Sequence, residues 1–277
     1  MGLPKRIGRY EIIELIAQSA MGGAVYKARD GEFGNLIMLK VSPAPDATLK
    51  STQRWVSQMK RRWSLRHPKI VTVYDVGMID RNRFMAMEWV EGEPLDVVIK
   101  INAPLTLAEQ IRIVSQISEA LQFIHDQGIV YRDVKPSNIM LSQAGDARLM
   151  PLEPPYVDLV DSKLLTIGTP AYMSPEQLNG EDLDGRADIF SLGCSFYELV
   201  ERRRPFEGES TVAPVVKILR DPPLPSRKAC ELQLPELQQI FEKTLAKDKN
   251  DRYLSCSDLQ RDLNRLEERL ESDFTST

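Results

Sequence analysis

The stretch Tyr131-Arg132-Asp133-Val134-Lys135-Pro136-Ser137-Asn138 places a carboxylate, an ammonium and a carboxamide within six residues. A carboxylate can take a proton, an ammonium can neutralise charge that develops on a transferred group, and an amide oxygen suits a hard cation. Small residues cluster in Met21-Gly22-Gly23-Ala24-Val25, where backbone N–H groups can approach an anion without side chains in the way. A single lysine, Lys40, ends the apolar run Ile37-Met38-Leu39. Thiol chemistry is not indicated: Cys194, Cys230 and Cys256 are scattered, with neither a disulfide framework nor metal-ligand spacing. They are expected to be buried or free thiols in a reducing compartment.

The elements that must position these groups change character along the chain. The 277 residues carry 36 Lys+Arg against 40 Asp+Glu, a net charge of −4, with 42% apolar and 27% charged residues. That composition buries a core and excludes a disordered or fibrous chain. A pI near 5.5 argues against a nucleic-acid footprint over the whole surface. Apolar runs stop well short of a membrane span, Met-Gly-Leu-Pro-Lys-Arg lacks a signal-peptide core, and Arg6 stands where a myristoylation signal needs Ser or Thr. A cytoplasmic protein with no membrane and no nucleic-acid partner is expected. Short β-type runs dominate the first part: Tyr10–Ala17, Ala24–Arg29, Leu36–Val41, Val71–Gly77 and Arg83–Trp89, with one helix at about 49–65 carrying Val56, Met59 and Trp63 on one side. Beyond Glu91-Gly92-Glu93-Pro94 the period becomes helical. Leu107, Ile111, Val114, Ile117, Leu121 and Ile124 form one stripe, opened by a capping box at Thr106 and Glu109 and closed at Gly128. Further helices are expected over Gly185–Glu201 and along Leu259, Leu263, Leu266 and Leu270.

The segment from Tyr131 to Asn138 closely resembles the catalytic loop of protein kinases. That resemblance implies that Asp133 accepts the proton of a substrate hydroxyl, Lys135 reaches the transferring phosphoryl group, and Asn138 holds magnesium. Other segments agree in order. Met21–Ala28 resembles the second half of a bacterial-type Gly-rich loop, His67–Val71 the segment after the C-helix, and Phe84–Val90 the strand entering the hinge. Gly168–Glu176 resembles the end of the activation segment and Asp188–Gly193 the central helix of the second lobe, while Arg252 falls where the family pairs an arginine with Glu176. The match runs from about Tyr10 to Leu266, so the chain is identified as a member of the bacterial-type (Hanks-type) Ser/Thr protein kinase family. The resemblance implies an α+β, bilobal protein-kinase-like fold. Residues 1–90 would form a β-rich N-lobe with one C-helix and residues 91–277 a mainly helical C-lobe, together one kinase-like domain that consumes nearly the whole length. His67 and His125 fall at structural positions, and Tyr131 in place of the usual His is a packing change. An ATP site would draw on Gly22, Val25, Met38, Lys40, Glu88, Val90 and Met140.

Set against the family pattern, several of these positions are altered. Ala17 and Ser19 replace the first two expected glycines of the phosphate loop, and Met38 replaces the alanine that leaves space for adenine. The expected C-helix glutamate is Gln58, which can bond Lys40 but cannot supply its counter-charge. After the strand Ala147-Arg148-Leu149-Met150, the metal-binding aspartate is replaced by Pro151, which leaves Asn138 as the sole retained metal ligand. Glu153, Asp158 and Asp161 are the acids that could substitute. No cofactor is therefore fixed: ATP is a candidate ligand, and magnesium is expected to bind weakly or not at all.

These departures imply a degenerate member resembling a pseudokinase, which would act as a protein-binding, scaffolding or allosteric regulator in signalling. Its partner would be another protein, a kinase or a kinase substrate. The alternative is a weakly active ATP-dependent Ser/Thr kinase with a non-standard metal site. Arg132 would answer a phosphorylated activation segment at Thr166 or Thr169. The basic run Lys60–Arg66 is read as a solvated face, with an acidic partner as the sharper alternative.

Overall fold

The computed structural model describes residues 4–19, 22–44, 48, 53, 55–57, 59, 66–151, 170–208, 210 and 212–275. The chain divides into two compact units, Met1–Glu91 with Pro151–Val157, and Gly92–Met150 with Asp158–Thr277.

The first unit is a six-stranded antiparallel sheet in the order β1-β2-β3-β4-β6-β5. Its strands are β1 (Arg6–Ile7), β2 (Tyr10–Gln18), β3 (Ala24–Asp30), β4 (Leu36–Pro43), β5 (Val73–Ile79) and β6 (Asn82–Glu88). Strand alternation sends successive residues to opposite faces, and the two faces differ here. One face carries a sealed apolar cluster of Tyr10, Ala28, Ile37, Leu39, Phe84 and Ala86. The other is set by the register Val25↔Lys40↔Met85 and Lys27↔Met38↔Met87. The strand expected from Val71 begins two residues later. The turn after His67 closes instead through Ile70 N–H to the His67 carbonyl (3.0 Å) and Lys69 N–H to His67 Nδ1 (3.2 Å). Of the helix expected at 49–65, residues 53, 55–57 and 59 are helical, and Met59 is fully buried.

The second unit begins with β7 (Gly92–Pro94), which joins β8 (Ile139–Ser142) and β9 (Ala147–Leu149) in a small sheet, β7-β8-β9. Its helices are α1 (Leu95–Lys100), α2 (Leu107–Asp126), α3 (Pro175–Asn179), α4 (Gly185–Glu201), α5 (Ala213–Arg220), α6 (Arg227–Glu231), α7 (Pro235–Thr244) and α8 (Cys256–Thr275). Helix α2 starts as its sequence signature requires. Thr106 Oγ1 accepts from Glu109 N–H (3.2 Å), and the Glu109 carboxylate accepts from Thr106 N–H (2.7 Å). It stops one residue before Gln127, and Gly128 turns away at φ 69°. The stripe Ile111, Val114, Ile117, Leu121 and Ile124 is buried, as are Leu259, Leu263 and Leu266 of α8. Helix α4 is buried along nearly its whole length. Gly193 permits its close approach to α7, because a Cβ there would lie 2.6 Å from Thr244 Oγ1. None of the described helices is long and apolar enough to cross a membrane.

Candidate catalytic loop and nucleotide-binding strands

The loop from Tyr131 to Asn138 has no regular ladder of its own, so its backbone polar groups need partners from elsewhere. Asp188, in the first turn of α4 and fully buried, supplies them. Its Oδ2 accepts from Tyr131 N–H (2.8 Å) and its Oδ1 from Arg132 N–H (2.7 Å). These bonds hold Arg132 at φ 71°, a left-handed conformation that L-residues adopt only at a cost. Gln177 Nε2 of α3 donates to the Arg132 carbonyl (2.9 Å), a second tie on the same residue.

So held, the loop brings its three reactive groups together. Lys135 Nζ donates to Asp133 Oδ1 (2.8 Å). Asn138 Nδ2 donates to Asp133 Oδ2 (2.7 Å) and to the Asp133 carbonyl (2.8 Å). The Asp133 side chain stays 54% exposed, so it is oriented by the two donors and still open to an incoming hydroxyl. The expected proximity of Asp133, Lys135 and Asn138 is therefore present. Met140 follows on β8 and is buried.

Position 151 is located by hydrogen bonds. Met150 N–H donates to the Asn138 carbonyl (2.8 Å), and Tyr131 Oη donates to the Met150 carbonyl (3.0 Å). Pro151 is the next residue in the chain, and it is buried. It offers no oxygen from its side chain and no N–H. Among the described residues no group of three or more His, Cys, Asp or Glu could hold a metal ion. Asn138 spends only its amide nitrogen on Asp133, which leaves its amide oxygen to offer a cation, while Asp133 accepts neighbouring donors on both oxygens. Mg²⁺ needs several oxygens in near-octahedral order, and the described residues beside Asn138 alone fit that requirement poorly.

The strand end and hairpin of the first unit can be judged in the same way. Ser19 N–H donates to the Gly23 carbonyl (2.7 Å), Gly22 N–H to the Ser19 carbonyl (3.1 Å), and Gly23 N–H to Ser19 Oγ (3.0 Å). A phosphate cradle needs unpaired amides pointing at the anion. Here three amides are turned inward, and the side chain at the substituted position, Ser19, takes one of them. Paired in this way, the Ser19, Gly22 and Gly23 amides are not presented to an anion. Gly22 does adopt the left-handed backbone its residue type allows, at φ 81°. Val25, Met38 and Lys40 share one face of the sheet with Met85 and Met87, and Met38 is only 5% exposed. Glu88 and Val90 follow on the same chain segment. Glu88 Oε2 accepts from Thr72 N–H (3.3 Å), and Val90 is buried. Gln58, Thr166, Thr169, Glu153, Asp158, Asp161 and residues 60–65 of the basic run lie outside the described residues.

Two further arrangements are structural. The expected pair of Glu176 and Arg252 is present and buried, with Nη1–Oε1 at 2.6 Å and Nη2–Oε2 at 2.9 Å. Arg252 also donates to the carbonyls of Ala246, Arg186 and Lys247. Burial works against a charged Glu176, and the Arg252 guanidinium overrides it, holding the carboxyl below its ordinary value. The second arrangement has the order of a thiol triad: Cys256 Sγ lies 3.8 Å from His125 Nδ1, and His125 Nε2 lies 2.7 Å from Asp188 Oδ2. Burial raises the Cys256 thiol well above its ordinary value, so it is no nucleophile. His125 is structural, as the sequence indicated. Asp188 as the anchor of the loop was not legible beforehand. It lay in a recognised segment, but its acceptor role is set by residues 56 and 57 positions away.

A two-unit α+β fold with this loop defines a protein kinase domain. The protein kinase domain family model matches residues 10–262, and the chain belongs to that family. Among curated proteins it is similar to serine/threonine-protein kinase PknB of Mycolicibacterium smegmatis, 34% identical over 270 residues, covering 94% of this chain and 43% of the relative. PknB of Mycobacterium leprae is 33% identical over 273 residues, covering 95% and 44%. Probable serine/threonine-protein kinase SCO3848 of Streptomyces coelicolor is 35% identical over 272 residues, covering 94% and 40%. The chain thus spans less than half the length of these relatives. Among solved structures, Rad53 1–466 in complex with AMP-PNP superposes with a TM-score of 0.75 at 23% identity, covering 91% of this chain and 64% of that one, a likeness of fold.

Proposed function

We propose that this kinase domain is catalytically impaired and acts by binding another protein, a kinase or a kinase substrate, as a scaffold or allosteric regulator in cytoplasmic signalling. The observation that carries the reading is Pro151 directly after Met150, whose N–H is tied to the carbonyl of Asn138. The residue that should bring a carboxylate to the metal beside Asn138 brings none. The inward-turned amides of Ser19, Gly22 and Gly23 support the same reading from the nucleotide side. If metal-ion stabilisation is worth several kcal/mol, its loss slows transfer on the order of a thousandfold.

A second reading, a weakly active Ser/Thr kinase with a non-standard metal site, is favoured by the assembled trio of Asp133, Lys135 and Asn138 and by the printed names of the bacterial relatives. Incubation with radiolabelled ATP and Mg²⁺ or Mn²⁺ separates the two, with Asp133→Asn as control. Impairment predicts no label above that control. Incorporation that the substitution abolishes would establish the enzyme and sink the first reading.

A further inference from the structure

The second unit contains a cavity of about 610 Å³ at the C-terminal end of α4, lined by Glu198, Arg202, Arg203, Arg204, Phe206 and Pro214, among others. Its size lies within the range of sites that take a ligand or a peptide segment. Three consecutive arginines line it, and the two glutamates in its wall are already engaged. Glu198 accepts from the Tyr172 hydroxyl and lies 3.6 Å from Arg204 Nε, while Glu207 Oε1 accepts from Arg204 N–H (3.1 Å).

Arg202 and Arg203 are differently placed. Among the described residues neither has a carboxylate within salt-bridge distance. Each spends one nitrogen on a carbonyl: Arg202 Nη2 on Ala103 (3.0 Å) and Arg203 Nη2 on Pro225 (3.4 Å). Each also keeps a buried nitrogen with no acceptor, Arg202 Nη1 and Arg203 Nε. Buried donors ordinarily find partners, and among the described residues no carboxylate pairs with either guanidinium. Burial lowers the Arg202 pKa from its ordinary value, and no neighbouring anion opposes that shift. Arg202 also caps α4 at φ 57°, in the left-handed region where glycine would be at ease. Strain of this kind gathers where a side chain is needed for function. Exposed apolar groups on the adjoining helix start, Val212 and Val216, flank the Pro214 wall and suit the backbone and apolar side chains of a peptide.

We infer that this cavity is a docking site for an acidic segment of a partner protein, whose carboxylate or phosphoryl groups pair with Arg202 and Arg203. The inference is independent of whether the domain transfers phosphate, since none of these residues belongs to the catalytic loop.

The test is fluorescence polarisation at low and physiological salt with three labelled probes: a tetraglutamate peptide, its counterpart with one phosphoserine, and tetralysine. Binding of the acidic probes but not tetralysine is expected. It should weaken at least tenfold in Arg202→Gly/Arg203→Gln, a variant that removes both guanidinium groups and gives the left-handed position its natural residue. Arg204 is left in place because it pairs with Glu198. The variant should keep its melting temperature within a few degrees, and a conservative Arg203→Lys protein should retain part of the affinity. Tighter binding of the phosphoserine probe would identify a phosphorylated segment, and equal binding a carboxylate-rich one. No binding of either acidic probe, or equal binding by wild type and the folded double variant, overturns the inference.

Discussion

The closed hairpin at Ser19 makes a quantitative prediction about nucleotide affinity. Three hydrogen bonds, from the N–H groups of Ser19, Gly22 and Gly23, must open before those amides can face a phosphate. At a net ~0.5–1.5 kcal/mol each, closure costs an incoming triphosphate about 1.5–4.5 kcal/mol, on the order of tenfold to a thousandfold in affinity. Ser19→Gly removes the bond made by the side chain and frees the Gly23 amide. Binding of ATP should therefore tighten roughly two- to twelvefold, with or without Mg²⁺. The stability cost should be small, because the Gly23 amide is exposed and water can replace the hydroxyl. Pro151→Asp acts on a different requirement. It supplies a metal-ligating carboxylate, so its effect should be confined to solutions containing Mg²⁺. Titration calorimetry of wild type, both single variants and the double variant, with ATP in EDTA and in excess Mg²⁺, resolves the two contributions. The double variant should show both, close to additively if the sites act independently. Wild-type protein that binds MgATP with micromolar affinity would refute the argument from inward-turned amides. So would a Ser19→Gly protein whose affinity is unchanged in EDTA.

The remaining predictions concern the supports of the loop. Arg252→Met strands Glu176 as a buried, unpaired carboxylate and should cost about 3–5 kcal/mol, read as the shift in urea unfolding midpoint; a change under 1 kcal/mol would show that the pair contributes little. Because the folded pKa of Glu176 lies below its ordinary 4.5, its contribution is complete above that value and is lost as pH falls through the folded value. The stability gap between wild type and Glu176→Gln should accordingly narrow in acid unfolding below about pH 4.5 and stay constant above it. Asp188→Asn turns an amide donor towards one of the loop N–H groups and should cost about 1.5–3 kcal/mol. Faster amide exchange at Tyr131 and Arg132 is the specific signature, and unchanged exchange there would argue against the anchor. Lys247, half-buried with its ammonium over the Phe206 ring and donating to the carbonyls of Lys217 and Ile218, is pushed down by desolvation to about 8 and should titrate there in lysine-resolved NMR.

What was legible in the sequence was local. The alternation in β3, β4 and β6, the stripe of α2, its capping box and the Gly128 stop each depend on residues within one or two turns of one another. Short-range sterics and burial therefore determine them before any partner is known. The loop trio belongs to the same class, since Asp133, Lys135 and Asn138 are five residues apart and meet within a single turn. The pairing of Glu176 with Arg252 was readable only through the family resemblance, because nothing local links positions 76 apart. Other features were decided by tertiary structure alone. Asp188 holds the loop because packing brings the start of α4 under Tyr131 and Arg132. Ser19 reads as a small, tolerable replacement until the hairpin folds and its hydroxyl captures the Gly23 amide. Nothing local in the Arg202–Arg204 run marks the cavity that these residues line together with Glu198, Phe206 and Pro214. In each case the deciding quantity is the desolvation of a polar group, and only the folded chain determines which groups lose water and what replaces it.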